Sequence, residues 1–401
     1  MKAKKGEKPN ISARRNIFAL GFVSFFTDIS SEMVFSLLPT FILGLPGSSV
    51  AVLGLIEGVA ESLSYGIRAV SGVFSDKFKR RKAVVLVGYG ISNVVKPLFS
   101  AAQTAVDAFI IRVTDRIGKG VRTAPRDALL SESVSEKNRG AAFGLHRALD
   151  QAGAILGPVI ASVGMLLVGL TARDIFWLSF IPGLIALLIL LFLVQERTSK
   201  STGEFKLLAG MRTVLKGKFL LLLMIVSLFS LGAFNFSFVL LNAREAGVID
   251  PLIPLIYAVV NVGHTVVAIP AGVLSDRIGK EKALVLGYTV FLFVAVLILF
   301  SPTDVFNASL IAVIFGIYLG IVETVQRVLV PEYVESSLRG TAYGFYYLVV
   351  GASFFVANTV VGTLWNFFGS SAASIYSLTL SSIAIIGMLL FLNYQKRKRV
   401  L

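Results

Sequence analysis

Acidic side chains recur one helical turn apart inside two apolar stretches near the start of the chain. Asp28 and Glu32 are four residues apart, as are Glu57 and Glu61, so each pair occupies one helix face. Two carboxylates close together in an apolar environment are costly to keep ionised, and one of them tends to hold a proton. The apolar stretch around Asp28 and Glu32 contains no basic residue. This pair is therefore our first candidate for a reversible proton site.

Basic side chains form a second pattern, and it is densest between positions 107 and 130. Together with the acidic pairs, we select these as candidate residues for proton coupling and substrate binding: Asp28, Glu32, Glu57, Glu61, Arg68, Arg112, Asp115, Arg116, Lys119, Arg147 and Asp150. The alternative is a set of ion pairs that lock helices together, and the sequence favours it for Arg122, Arg126, Asp127, Arg147 and Asp150. Lys96, beside Pro97, either reaches the membrane surface or pairs inward.

The second half of the chain is poor in charge and rich in aromatic residues. Its polar positions predict a contribution to a shared cavity from Asn235, Asn261, His264, Glu323, Arg327, Tyr343 and Tyr346. Packing of the aromatic rings, and a hydrogen-bonded interior histidine at His264, are the alternatives. No nucleophile–base pair or metal triad stands out, so we expect no enzyme activity and no metal site.

The composition is that of an integral membrane protein. The 401 residues are 55% hydrophobic and 15% charged, and there is no cysteine. A soluble chain would be about a quarter charged. Twelve apolar spans of roughly 20 residues can be drawn over 17–43, 50–74, 83–103, 107–130, 140–168, 174–194, 218–242, 251–274, 283–301, 305–330, 340–366 and 371–393.

The basic residues determine the predicted orientation of these spans. They concentrate at both termini and in alternate loops, which places both termini in the cytoplasm by the positive-inside rule. The net charge of +15 follows from this topology, so nucleic-acid binding need not be invoked. We expect a multi-pass protein of the plasma membrane.

An internal repeat divides the chain into two halves. Gly72–Lys82 returns as Gly272–Lys282, and Arg139–Gly144 returns as Arg339–Gly344 at the same offset. We therefore predict an all-α membrane protein of twelve helices in two pseudo-symmetric six-helix bundles. The predicted bundles are residues 1–195 and 218–401, joined by a cytoplasmic linker over 196–217. Duplicated helix bundles with a site at their interface are typical of secondary transporters.

These motifs resemble the major facilitator superfamily over nearly the whole chain, and more narrowly a prokaryotic subgroup of permeases. The resemblance implies a cytoplasmic gate latch at Gly72, Asp76, Lys77, Arg81, Gly272, Asp276 and Arg277. It implies the helix-bending motif of antiporters at Gly144, Gly153, Gly157 and Pro158. Through Arg112, Ile117, Gly118 and Gly120, it also implies that Arg112 assists proton transfer.

The resulting functional hypothesis is a proton-coupled antiporter that exports a small amphipathic or cationic compound. No cofactor is expected, since a proton gradient would drive transport, and the protein is expected to act as a monomer in the bilayer. Three alternatives stay open: a divalent-metal or metal-chelate carrier, uptake of an anionic metabolite, and a non-transporting receptor.

Overall fold

Helices account for nearly the whole structure. A computed structural model describes residues 11–78, 80–134, 139–196, 211–335 and 338–400, without the side chains of 11–14, 72–78, 139, 211–212, 327 and 396–400. The helices are α1 (Ile11–Phe35), α2 (Leu38–Leu43), α3 (Val50–Phe78), α4 (Arg81–Val95), α5 (Ala105–Glu132), α6 (Arg139–Leu167), α7 (Ala172–Leu178), α8 (Phe180–Leu193), α9 (Met211–Val214), α10 (Gly217–Gly232), α11 (Phe236–Glu245), α12 (Ile253–Ile278), α13 (Lys280–Phe300), α14 (Val305–Tyr333) and α15 (Arg339–Val400). Short 3-10 helices cover Lys96–Ala101 and Asp250–Leu252. The described residues form no strand.

Several long helices are interrupted, and each break has a local cause. Pro39 lies in the first turn of α2, after the break that follows α1, and Pro97 lies in the 3-10 helix that continues α4. Asn235 caps α11 by accepting a hydrogen bond from the Ser237 backbone N–H at 2.9 Å. Gly369 bends α15 into two arms because its φ of 81° lies in the left-handed region that favours glycine.

Ten helical stretches of the described chain are long and apolar enough to cross a membrane. The last of them contains the bend at Gly369, so its two arms correspond to two of the predicted spans. The predicted span over 107–130 is not among the ten, and α5, which covers it, carries a dense stripe of charges. An all-helical membrane fold is thus confirmed, and the count of twelve stays a prediction.

The helices pack mostly within each half of the chain. In the first half, α1 packs on α6 and α8, and α5 packs on α3 and α4. In the second half, α12 packs on α14, α10 on the second helix arm of α15, and α13 on α14 and α15. The halves meet chiefly where α3 packs against α15 and α6 against α12, and also where α2 contacts α11. The division into bundles and linker remains a prediction, and residues 197–210 of the linker lie outside the described residues.

Glycine allows the closest approach of α6 to α1. A Cβ atom on Gly153 would lie 2.3 Å from the Phe25 carbonyl oxygen, and one on Gly157 would lie 2.7 Å from that of Ile29. These two positions of the predicted bending motif therefore lie where the backbones of α6 and α1 are in contact. Gly144 differs, because a Cβ atom there would meet no neighbouring atom within 4 Å. Helix α6 continues through Pro158.

The predicted gate residues lie at the ends of helices. Arg81, at the start of α4, forms an ion pair with Glu132 at the end of α5. Gly272 lies within α12, and Asp276 and Arg277 are exposed near the end of that helix. Gly72 lies within α3, and the side chains of Asp76 and Lys77 lie outside the described residues. The role of these positions as a latch stays a prediction.

Candidate functional site

A cavity of about 610 Å³ lies between the two halves of the chain. The first half contributes α1, α3, α5 and α6, and the second contributes α11, α12, α14 and α15. Its charged lining consists of the acidic residues Asp28, Glu32, Glu61, Asp127, Asp150 and Glu323 and the basic residues Arg68, Arg116, Lys119, Arg122, Arg126 and Arg147. All of these except Glu323 belong to the first half.

The cavity is closed at the end of the bundle that holds residues 44–49 and 246–252. There a Cβ atom on Gly54 would lie 2.2 Å from the Asn358 carbonyl oxygen, so α3 and α15 are in backbone contact. The Ser162 hydroxyl of α6 donates to the Pro251 carbonyl oxygen at 2.7 Å. At the opposite end, the side chains of Asp127 and Glu323 are 44% and 41% exposed. The cavity therefore opens toward the end at which α1 begins.

Two carboxyl groups meet on the cavity wall where α1 packs against α6. Asp28 and Asp150 lie within hydrogen-bonding reach of each other. Asp150 also accepts a hydrogen bond from the Ser24 hydroxyl at 2.7 Å and pairs with Arg147 at 3.1 Å. A hydrogen bond between two carboxyl groups requires a proton on one of them. The pair is thus a place where one proton can be held and released.

Glu32, the predicted partner of Asp28, has a different environment. The Tyr257 hydroxyl of α12 lies within hydrogen-bonding reach of its carboxylate, and Lys119 of α5 is the cation that acts on it most strongly. Helix α1 supplies no counter-charge to Glu32, as the sequence indicates, but α5 does. The structure thus brings Asp28 together with Asp150, and Glu32 together with residues of two other helices.

Glu57, Arg112 and Asp115 are buried behind the cavity wall. Arg112 donates to Glu57 at 2.7 Å, and its other terminal nitrogen lies 3.9 Å from Asp115. Neither Arg112 nor Glu57 is measurably exposed. The Asn235 amide of the second half donates to the same Glu57 oxygen at 3.4 Å. These predicted residues therefore form a buried polar link between the halves, one layer away from the cavity surface.

The remaining basic residues of α3 and α5 differ in how fully they are paired. Arg116 lies 3.4 Å from Glu61. Arg68 has its guanidinium carbon 5.1 Å from the centre of the Tyr65 ring and 5.5 Å from that of Tyr347. Within the described part of the chain, neither Arg68 nor Lys119 forms an ion pair with a carboxylate.

The second half supplies rings and amides, and one polar cluster near the open end. There Arg147 lies 3.2 Å from the His264 ring nitrogen and 3.9 Å from Glu323. Asn261 donates to the Ala154 carbonyl oxygen at 2.9 Å. Tyr343 and Tyr346 line the cavity. The side chain of the predicted Arg327 lies outside the described residues.

Lys96 points inward, which decides between the two predicted alternatives. Its ammonium is fully buried and donates to the Ser31 hydroxyl at 2.8 Å and to the Asn93 side-chain oxygen at 2.9 Å. Neither Ser31 nor Asn93 lines the cavity. Lys96 therefore belongs to the core of the first half.

Sequence reasoning missed several cavity residues that carry no net charge. Tyr65, Tyr257, Gln326 and Phe354 all line the cavity. A signal exists for Tyr65, which lies four residues from Glu61 and three from Arg68 and so shares their helix face. Gln326 carries the same signal, since it lies three residues from Glu323, whereas Phe354 has no comparable signal.

Comparison with known proteins identifies the family. The sequence profile of the Major Facilitator Superfamily matches residues 20–357 and 220–400. The chain is a member of this superfamily. It is 33% identical over 358 residues to the uncharacterized MFS-type transporter MJ1317 of Methanocaldococcus jannaschii, covering 88% of this chain and 89% of that protein. The protein is therefore a membrane transporter with a small-molecule substrate, and it is not an enzyme.

Two further comparisons are more distant. The transporter is 26% identical over 299 residues to multidrug resistance protein MdtG of Proteus mirabilis, covering 71% of this chain and 73% of that protein. The crystal structure of nucleoside transporter NupG superposes with a TM-score of 0.75 at 13% identity, covering 94% of this chain and 98% of that one. The second likeness concerns the fold alone.

Proposed function

We propose that the transporter is a proton-coupled antiporter that exports a small amphipathic compound carrying a cationic group. The observation that carries this proposal is the contact between Asp28 and Asp150 on the cavity wall. Both termini lie in the cytoplasm in this proposal, so the cavity opens to the cytoplasm of the plasma membrane. The protein acts as a monomer and needs no cofactor.

The exchange follows from competition for one site. With the cavity empty, the two carboxyl groups share a proton, which avoids two adjacent charges in a poorly solvated place. An ammonium group of the substrate can lie between the two carboxylates and replace the positive charge of the shared proton, so that the proton leaves. After the halves close at the open end and part at the other, protons from outside displace the substrate. Alternating access produces exchange in this way because the substrate and the proton cannot occupy the carboxyl pair at the same time.

Two observations support export. Gly153 and Gly157 bring α6 into backbone contact with α1, and Asp150 lies in the same interface, so the predicted antiporter motif positions the carboxyl pair. The similarity to MdtG, whose name describes multidrug resistance, supports the same direction of transport. The predicted gate at Asp76 and Asp276 and the coupling role of Arg112 are retained as parts of this proposal.

The test is substrate-induced proton release in weakly buffered detergent solution, with phenethylamine as the cationic probe. We expect proton release from the parent protein and its loss in Asp28→Asn and Asp150→Asn. Asp127→Asn is the matched control, because Asp127 also lines the cavity but is half-exposed and paired with Arg126. Glu32→Gln should retain release. If the double variant Asp28→Asn/Asp150→Asn still binds the probe and releases protons, the exchange site lies elsewhere.

A second function, uptake of an organic anion together with a proton, is favoured by the cations at Arg68 and Lys119. The same measurement separates the two functions by the sign of the pH change. Binding of an anionic probe to the basic residues would displace the carboxylates that neighbour them. The displaced carboxylates would then take up protons from the solution. The predicted metal alternative receives no support from geometry, since the described residues bring together no group of three histidine or acidic side chains suited to a metal ion.

A further inference from the structure

We propose that the substrate is zwitterionic, with an anionic group that binds to Arg68 and Lys119 and a flat apolar body that binds the neighbouring aromatic rings. This inference rests on the proposed function, which assigns the cationic group of the substrate to Asp28 and Asp150. It names the second charged group and the residues that recognise it.

Arg68 has the surroundings of an anion-binding group. Its guanidinium lies over Tyr65 of its own helix and Tyr347 of α15, so aromatic faces from both halves hold it in place. Its Nε atom is buried without a hydrogen-bond partner in the described structure. A guanidinium presents several donors in one plane, which suits a carboxylate. An anionic group in the cavity would supply acceptors that these rings cannot.

The side chain of Lys119 also makes no direct polar contact within the described part of the chain. It lines the cavity on α5, and in the described residues its ammonium forms neither a hydrogen bond nor an ion pair. Glu32 and Glu61 are the acidic neighbours of Lys119, but neither forms an ion pair with its ammonium: Glu61 pairs with Arg116 at 3.4 Å, and the Tyr257 hydroxyl lies within hydrogen-bonding reach of Glu32. Arg68, Arg116 and Lys119 thus face two carboxylates, Glu61 and Glu32. One anionic group from a ligand would balance this part of the wall.

The charge of the whole cavity leads to the same conclusion. The acidic and basic residues that line it are equal in number, so their charges balance when all are ionised. The proton that Asp28 and Asp150 share in the empty cavity therefore leaves one net positive charge. A cation bound between Asp28 and Asp150 replaces one proton and leaves the balance unchanged, so the excess of positive charge near Lys119 persists. A purely cationic substrate would leave Arg68 and Lys119 unpaired inside a closed cavity, which is unfavourable at low dielectric. A zwitterion satisfies both regions at once.

The aromatic rings beside Arg68 favour a flat apolar body. Tyr65 stacks with Phe354 at a ring distance of 6.1 Å and an angle of 19°. Elsewhere on the wall, Phe236 stacks with Tyr257 at 4.4 Å. All four rings line the cavity. The volume of about 610 Å³ is in the range of small-molecule sites.

Three matched probes test this inference. Phenylalanine carries both charges, phenethylamine carries only the positive charge, and 3-phenylpropionate carries only the negative charge. Binding is measured by calorimetry on the purified full-length protein. We expect phenylalanine to bind about tenfold more tightly than either single-charge probe, as charge-assisted hydrogen bonds would provide. Lys119→Gln and Arg68→Gln should abolish this preference, because phenylalanine would then bind no more tightly than phenethylamine.

Two control variants keep the result interpretable. Lys119→Arg retains the charge and should retain most of the preference, whereas Lys218→Gln changes an exposed lysine outside the cavity and should have no effect. Thermal unfolding of each variant shows that it is folded. Equal affinity for phenylalanine and phenethylamine would overturn the inference and leave the proposed function standing. If only 3-phenylpropionate bound, and Asp28→Asn did not change its affinity, both the inference and the proposed function would be overturned. Failure of all three probes to bind at millimolar concentration would also overturn the inference.

Discussion

The two walls of the cavity are built from different chemistry. The wall from the first half carries nearly all of the charged lining residues, and some of them pair across helix boundaries, as Arg116 does with Glu61. The wall from the second half carries aromatic rings and amides, with Glu323 and His264 at the open end. The first wall can change its charge when a proton or a ligand binds. Apart from these two residues, the second offers only shape and neutral hydrogen bonds.

The interiors behind the walls differ in the same way. Behind the first wall lie Arg112, Glu57 and Lys96, whose charges are buried and must be compensated. Behind the second, Phe229 stacks on Tyr288 with the ring centres 3.6 Å apart. Buried ion pairs are fragile to the loss of one partner, whereas aromatic packing is insensitive to charge. The first half should therefore respond to charge substitutions and the second should not.

The largest expected effect follows from removing one member of the buried pair. Arg112→Met would leave Glu57 charged and unpaired, which should cost about 3–5 kcal/mol of stability. Arg112→Lys keeps the charge but loses the planar fork, so we expect a smaller loss of stability and poor transport. Unfolding in detergent, followed by intrinsic fluorescence, measures the stability of each variant.

The double variant Glu57→Gln/Arg112→Met completes this experiment. It removes both charges and should recover most of the lost stability, giving a coupling energy in a double-mutant cycle. Tyr288→Phe in the second half deletes a hydroxyl without changing charge and should cost about 1 kcal/mol or less. If Arg112→Met is as stable to unfolding as the parent, the difference between the two interiors does not affect stability.

The next effect concerns the buried ammonium of the first half. Lys96→Leu removes the donor that satisfies the side-chain oxygen of Asn93, and an unsatisfied buried group costs about 1–3 kcal/mol. Lys96→Gln keeps a donor of similar reach and should lose less stability. The same unfolding measurement compares the two. A leucine variant at least as stable as the glutamine variant would show that Lys96 does not stabilise the fold.

A glycine at the closed end allows a test of how the walls move. Gly54→Ala places a Cβ atom against the Asn358 carbonyl oxygen and should favour a state in which this end is open. Overpacking of this kind costs about 1–3 kcal/mol when it is not relieved. Gly66→Ala is the matched control in the same helix, because a Cβ atom there meets nothing within 4 Å.

The readout for this pair is the labelling rate of single cysteines, since the natural chain contains none. A cysteine introduced at Ser162, near the closed end, should be labelled faster in the Gly54→Ala background and at the parental rate in the Gly66→Ala background. Identical labelling in both backgrounds would mean that this contact does not control access to the cavity.

The smallest effect is expected at the open end, where the polar cluster joins the walls. Arg147 and Glu323 are 3.9 Å apart and each is 41% exposed, so water screens their attraction. Glu323→Gln should change the stability by less than about 1 kcal/mol, and the change should shrink as salt is added. A loss as large as that of Arg112→Met would show that this cluster, rather than the buried pair, holds the halves together.

Much of the architecture could be predicted from the sequence because a bilayer restricts the alternatives. Apolar runs of sufficient length must be helices there, and the repeated motifs around Asp76 and Asp276 indicated two related halves. The broken helices were harder to predict. The bend at Gly369 depends on a single φ angle, and glycines are frequent throughout the chain.

The sequence by itself determined which residue types line the site and which helix faces carry them, because helical spacing places Asp28 with Glu32 and Glu61 with Arg68. Only the tertiary structure decided how they pair. In the fold, Asp150 contacts Asp28, and Arg112 forms an ion pair with Glu57. Lys96 is buried beside Ser31, and Lys119 lines the cavity. The physical reason is that the energy of a charge depends on neighbours within a few ångströms. In this fold those neighbours come from other helices, whose rotation and depth the spacing within one helix does not specify.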